Sequence, residues 1–142
     1  MELSIKLVLW IHLVALALAG CSAFAIPAVL GLRAKAEAAQ MPVFGLVMAK
    51  LASLARMALV LLILSGSYLL WAKYGGFGGL GRWFHVKLGL VVILSALAIF
   101  NIYNGRWARA GDVAAAARMP MLATTATVLL LGIVLSAVFT FA

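Results

Sequence analysis

The sequence has little charge and very little acidity. Only 10% of its 142 residues are charged, and three acidic residues stand against eleven Lys and Arg. A typical soluble domain is about a quarter charged and about half apolar, whereas 68% of this chain is hydrophobic. A soluble domain of this size also leaves about a third of its unfolded surface exposed to water. These proportions exclude an ordinary soluble fold and predict a small polytopic membrane protein.

Cysteine and the common catalytic motifs are also lacking. The lone Cys21 can form no intrachain disulfide and can complete no cysteine-rich zinc site. The chain contains no Gly-rich phosphate loop, no HExxH and no GxSxG motif. The Gly-rich segment 75–81 predicts a flexible turn, because no Lys-Ser/Thr pair opens a helix after it. Hydrolase and nucleotide-binding functions are therefore excluded.

Four long apolar runs are present, and each is long enough to cross a bilayer. A helix needs about 20 apolar residues to span about 30 Å of hydrocarbon. The runs cover about residues 5–32, 44–71, 83–103 and 120–141. Short connections predict antiparallel neighbours, so we expect one all-α domain, an up-down bundle of four transmembrane helices. Pro120 suits the first turn of the fourth helix, where proline is favoured.

The N-terminus also resembles a lipoprotein signal peptide. Lys6 precedes an apolar stretch that ends in Leu-Ala-Gly-Cys over residues 18–21. Cleavage there would leave a lipidated Cys21 and three spans. The residues after Cys21 stay apolar and do not open into a polar tether. We therefore expect the first run to remain as a helix.

Basic residues at the ends of the runs predict the orientation. The first and third connections carry more of them than the opposite side does. They are Arg33, Lys35, Arg106, Arg109 and Arg118, against Lys6, Lys73 and Arg82. The positive-inside rule places the first and third connections in the cytoplasm and both termini outside. Because the basic residues flank apolar runs, we expect membrane lipid and no nucleic acid as a partner.

Ionisable residues inside a span are costly and are candidates for function. His12 lies about seven residues into the first run, and His85 lies a few residues into the third. The first and third helices start on the same side, so both histidines are expected at nearly the same depth. Small residues follow each histidine at helical spacing, among them Ala19 and Gly89. They leave room for close helix packing or for a flat ligand.

Two histidines at one depth favour a metal cofactor over plain interhelical hydrogen bonds. Zinc would need four ligands, and no acidic residue or second cysteine lies at this level. Copper(I) favours Met or Cys, but the methionines of the connections and inner ends lie away from both histidines. Haem b needs only one or two axial side chains and an apolar slot. We therefore predict haem b, with His12 and His85 as metal ligands.

Two cations lie inside the spans as well. Arg56 suits a bidentate contact with a propionate or an acidic substrate group. Hydrogen bonds from Arg56 to carbonyls, Ser or Thr of neighbouring helices are an equal alternative. Lys87 follows His85 by two positions, which is about 200° around a helix. One helix cannot direct both at the same atom, so Lys87 either snorkels outward or contacts the rim of a ligand.

The segment around His85 resembles a known family. It runs Gly-Gly-Leu-Gly-Arg-Trp-Phe-His-Val-Lys-Leu over residues 78–88. This is similar to the start of the third helix in the HemJ-type protoporphyrinogen oxidases, where a Gly-rich loop leads into Trp-Leu-His-x-Lys-Leu. Other positions are similar too: Gly105-Arg106, Arg118-x-Pro120, His12 in the first helix and Arg56 in the second. The chain lacks the family's acidic residues in helix two and before helix four.

The resemblance implies a haem-b protein of the bacterial inner membrane. Such a protein oxidises protoporphyrinogen IX or relays electrons to a membrane acceptor such as quinone. The resemblance makes His12 the better axial ligand, gives His85 and Lys87 roles as ligands or catalytic residues, and places Arg56 against carboxylates. CopD-like membrane domains share the broader design, so a subunit that transports copper or haem is an alternative. A cofactor-free scaffold is another, and a homo-oligomer is compatible with each.

Overall fold

The computed structural model describes residues 1–141 as four long helices joined by short connections. The helices are α1 (Glu2–Ala34), α2 (Met41–Tyr74), α3 (Arg82–Arg109) and α4 (Val113–Phe141). Each is long and apolar enough to cross a membrane, as the four apolar runs predict. The described part of the chain contains no strand, so the all-α prediction is confirmed.

The start of α4 differs from the sequence-based expectation. Pro120 lies well inside α4 rather than in its first turn, so that expectation is wrong. The helix begins earlier because Asp112 caps it. The Oδ1 atom of Asp112 accepts hydrogen bonds from the backbone N–H groups of Ala114 and Ala115, at 3.0 and 3.2 Å. Hydropathy alone placed the boundary too late, because the first turns of α4 precede the apolar run.

The helices form two antiparallel hairpins. α1 packs along α2, α3 packs along α4, and a shorter contact between α1 and α4 joins the hairpins. Tyr68, near the end of α2, donates a hydrogen bond of 3.1 Å to Ser4 at the start of α1. Trp83 at the start of α3 stacks on Phe139 at the end of α4, with 4.9 Å between the ring centroids. α2 and α3 share no extensive contact, so the bundle is open on that side.

Small residues fill the contacts between helices. Ala15 of α1, Ala58 of α2 and Ala115 of α4 are almost completely buried. Residues of this size let two helix backbones approach closely. At the α1–α4 contact, Thr127 donates a hydrogen bond of 2.7 Å to the carbonyl oxygen of Ala23. The large apolar side chains are mostly exposed on the outside of the helices, as expected for surfaces that face lipid.

A buried polar contact holds the α3–α4 hairpin near its connection. The side chain of Asn104 is fully buried. Its Nδ2 donates to the carbonyl oxygen of Ala115 at 2.9 Å, and its Oδ1 accepts from Nε of Arg118 at 3.1 Å. From the sequence, basic residues here are expected only as determinants of orientation. In the structure Arg118 also takes part in tying two helices together.

Candidate functional site

The structure places the two histidines at nearly the same level of the bundle. The hydrogen bond from Thr127 fixes the register of α4 against α1, and the stack of Phe139 on Trp83 fixes that of α3 against α4. Counting along the helices from these contacts brings His12 and His85 to one level. Both lie towards the end of the bundle that carries the start of α1 and the α2–α3 connection.

His12 is half-buried and rests on α2. Its Nδ1 lies 2.7 Å from Oγ of Ser65, and a Cβ atom on Gly66 would come within 3.4 Å of its Cε1. Ser65 donates its hydroxyl proton to the carbonyl oxygen of Leu61, one turn earlier in α2. Towards His12, Ser65 Oγ is therefore the acceptor. The neutral ring then carries its proton on Nδ1 and keeps a lone pair on Nε2.

An imidazole held in this way is prepared to bind a metal ion or to accept a proton through Nε2. Metal-binding histidines usually donate their other ring N–H to a partner that fixes the tautomer and the orientation of the ring. Ser65 is such a partner for His12. Sequence reasoning missed both Ser65 and Gly66, because small residues occur throughout the chain and Ser65 is separated from His12 by 53 positions.

On α3 it is Lys87, rather than His85, that is partly buried. His85 is exposed, and its ring meets that of Phe84 edge-on with 6.3 Å between centroids. Both residues lie near the level of His12, and His85 points away from the interior.

The other predicted site residues are more scattered. Ala19, two turns after His12 on the same face of α1, is half-buried. Gly89 of α3 is exposed, and nothing lies within 4 Å of the position that its Cβ would take. Arg56 is exposed on α2, about 13 Å along the helix from Ser65 at 1.5 Å per residue. Arg56 therefore lies apart from the His12 site.

The bundle has no enclosed cavity of ligand size among the grooves found within residues 1–141, and its open side lies between α2 and α3. Two shallow grooves, of about 290 and 250 Å³, run between α1 and α4 and between α1 and α2. Both are smaller than the range of about 300–1,000 Å³ typical of ligand sites. His12 is bonded to α2 and Lys87 is on α3, the two helices that border the open side of the bundle.

The described residues contain no cluster of three or more His, Cys, Asp or Glu side chains that would hold a bare metal ion. No protein-family model, no curated protein and no solved structure matches the chain. The fold and the site therefore define only a class, a protein of four apolar helices with one oriented, half-buried histidine beside an open flank.

Proposed function

We propose that the chain is an integral membrane protein that binds haem b and takes part in electron transfer, with His12 as an axial ligand. The observation that carries this proposal is the contact between His12 Nδ1 and Ser65 Oγ. It leaves the lone pair on Nε2 for a metal ion. Haem needs little more from a protein than one or two such ligands and an apolar slot.

The donor set around His12 fits haem in chemical terms. No acidic residue lies in the apolar runs, so a bare divalent ion would find few anionic ligands here. Lys87, partly buried on α3 near the level of His12, supplies a cation that suits a propionate. His85, at the same level on α3, is the second candidate ligand and would have to turn inward from its exposed position. When bound, haem would supply one-electron redox chemistry.

The resemblance to HemJ-type oxidases supports a more specific proposal. Protoporphyrinogen IX would be the electron donor, and a membrane acceptor such as quinone would receive the electrons. His85 and Lys87, on the first turns of α3, would then act on the substrate, as the resemblance implies for both residues. The resemblance implies a bacterial inner membrane location, and the distribution of basic residues supports an orientation with both termini outside.

The test is a visible spectrum of the full chain, purified in detergent and recorded in the oxidised and reduced states. We expect a b-type spectrum that His12→Ala abolishes and that Cys21→Ser, an exposed position on the same helix, leaves unchanged. Reduction of the haem by protoporphyrinogen would identify an oxidase. A haem that protoporphyrinogen does not reduce would identify a plain electron carrier. A chain that takes up no haem in either state would refute the proposal and favour a cofactor-free scaffold.

A further inference from the structure

Arg56 lies at the middle of α2 with no carboxylate of the chain at its level. The helix runs Met41–Tyr74, so Arg56 is within two residues of its midpoint, and the side chain is exposed. Within residues 1–141 Arg56 makes no ion pair and no hydrogen bond; the ion pair found there joins Lys6 and Glu2. The alternative that Arg56 bonds to neighbouring helices of its own chain is therefore not realised in the structure.

A cation in this position is expensive when the helices span a membrane, as proposed above. Long basic side chains near the end of a span relieve the cost by snorkelling to the surface. Arg56 lies more than about 20 Å from either end of α2, at 1.5 Å per residue. Charged residues at such depth are rare and are normally paired. The position therefore calls for an anion at mid-membrane level.

That anion does not come from this chain. Its three acidic residues are Glu2, Glu37 and Asp112, which lie at helix ends or in connections. A second copy would bring the same distant carboxylates, and a symmetric contact on this face would place two Arg56 side chains against each other. Lipid phosphates lie at the membrane surfaces. The anion must belong to another molecule that reaches the membrane interior.

The face of α2 around Arg56 carries small residues on the turns before it. Ser65 is on the side of α2 that packs on α1. Arg56 is nine positions before it, which places Arg56 half a turn around the helix from that side. On the turns of this face that precede Arg56 the residues are small, and most of them are exposed. They are Gly45, Ala49, Ala52 and Ser53. Small residues at this spacing allow a second helix backbone to approach closely, so a partner's carboxylate would meet the guanidinium across a short gap.

We propose that α2 docks a transmembrane helix of a partner protein that carries Asp or Glu at mid-membrane level, and that Arg56 pairs with this carboxylate. The guanidinium fork matches a carboxylate through two parallel hydrogen bonds. This inference rests on the membrane insertion proposed above but does not depend on haem binding. An apolar molecule with a free carboxylate, such as a fatty acid, is the competing source of the anion.

The test uses the full chain reconstituted in phosphatidylcholine vesicles at pH 8 with synthetic helices of about 20 Leu and Ala residues. The helices carry Glu, Gln or Lys at the centre, and association is measured by energy transfer between labels on helix and protein. We expect the Glu helix to bind about tenfold more tightly than the Gln helix, and the Lys helix not to bind. Arg56→Gln should remove the preference for Glu. Lys50→Gln, which removes an exposed cation nearer the end of α2, should keep it.

Equal binding of the Glu and Gln helices to the unaltered chain would overturn the inference, and this comparison needs no variant that folds. Binding of oleate that depends on Arg56, with no preference for the Glu helix, would also overturn it and assign Arg56 to a small ligand. Extraction with alkaline carbonate is run in parallel. Release of the protein from the vesicles would refute membrane insertion itself, whereas failure of haem binding would leave the docking result unchanged.

Discussion

Replacing Ser65 by alanine removes the side chain that orients the His12 ring. The variant loses the 2.7 Å contact to Nδ1. It also loses the hydrogen bond from the Ser65 hydroxyl to the Leu61 carbonyl, but this bond lies within α2 and adds to backbone hydrogen bonds that remain. The Nδ1–H group of half-buried His12 is left without its partner, which costs about 1–3 kcal/mol. The ring can avoid this cost by moving its proton to Nε2 or by rotating. Either change removes the Nε2 lone pair from the position where a metal would bind.

The expected loss of haem affinity follows from this geometry. Removing the outer partner of a metal-binding histidine typically costs about 10–100-fold in affinity. Tenfold corresponds to about 1.4 kcal/mol, so this range agrees with the cost of the unpaired N–H group. We therefore expect the Kd for haem of Ser65→Ala to rise about 10–100-fold. The helix content should not change, because alanine is a better helix former than serine.

The measurement is a titration of the haem-free chain in detergent with haemin, followed by visible absorption, with far-ultraviolet circular dichroism as the check on folding. Ser67→Ala is the matched control. Ser67 lies two residues further along α2, is exposed, and bonds only to the carbonyl oxygen of Ile63 in its own helix, at 2.7 Å. An unchanged Kd in Ser65→Ala would refute the argument that Ser65 orients the ligand. Equal losses in both variants would point to a general effect on α2.

Three further changes have expected outcomes. Gly66→Val should displace the His12 ring, since even a Cβ at this position would lie 3.4 Å from Cε1, and should weaken haem binding at least about tenfold. Gly20→Val is the control and should leave haem binding unchanged, because nothing lies within 4 Å of that Cβ position. Asn104→Ala should lower the free energy of unfolding in detergent by about 1–3 kcal/mol, because it breaks one buried and one partly buried hydrogen bond. Asn101→Ala, exposed on the same helix, is the control, and equal stability of the two variants would contradict the role of Asn104. Asp112→Ala should lower the free energy of unfolding by about 0.5–2 kcal/mol and speed hydrogen exchange at the start of α4, whereas Asp112→Ser should restore protection from exchange. Unchanged exchange in Asp112→Ala would show that the cap does not hold the helix end.

The sequence is sufficient to predict the helices and the level of the histidines, because both depend on distances along the chain. The length of each apolar run gives a helix, and short connections make successive helices antiparallel. His12 and His85 then fall at one depth without any knowledge of packing. The start of α4 is different, since it depends on one capping side chain, Asp112, that carries no hydropathy signal.

The contents of the site depend on packing and could not be predicted. The offset of two positions between His85 and Lys87 says that they face different ways, but not which of them faces inward. That choice follows from the stack of Trp83 on α4 and the burial of Phe84, which fix the rotation of α3. The contact between Ser65 and His12 also depends on tertiary packing, because it forms only in the register in which α1 and α2 pack.

The open side of the bundle connects the two proposals. A closed up-down bundle has four contacts between neighbouring helices. Here α1 contacts α2 and α4, and α3 contacts α4, but α2 and α3 share no extensive contact. Lys87 and Arg56, two cations inside the apolar runs, are on the two helices that border this flank. Each adds a positive charge to an apolar run that contains no acidic residue. We propose that other molecules complete the packing and the charge of this bundle, haem beside His12 and an acidic helix beside Arg56.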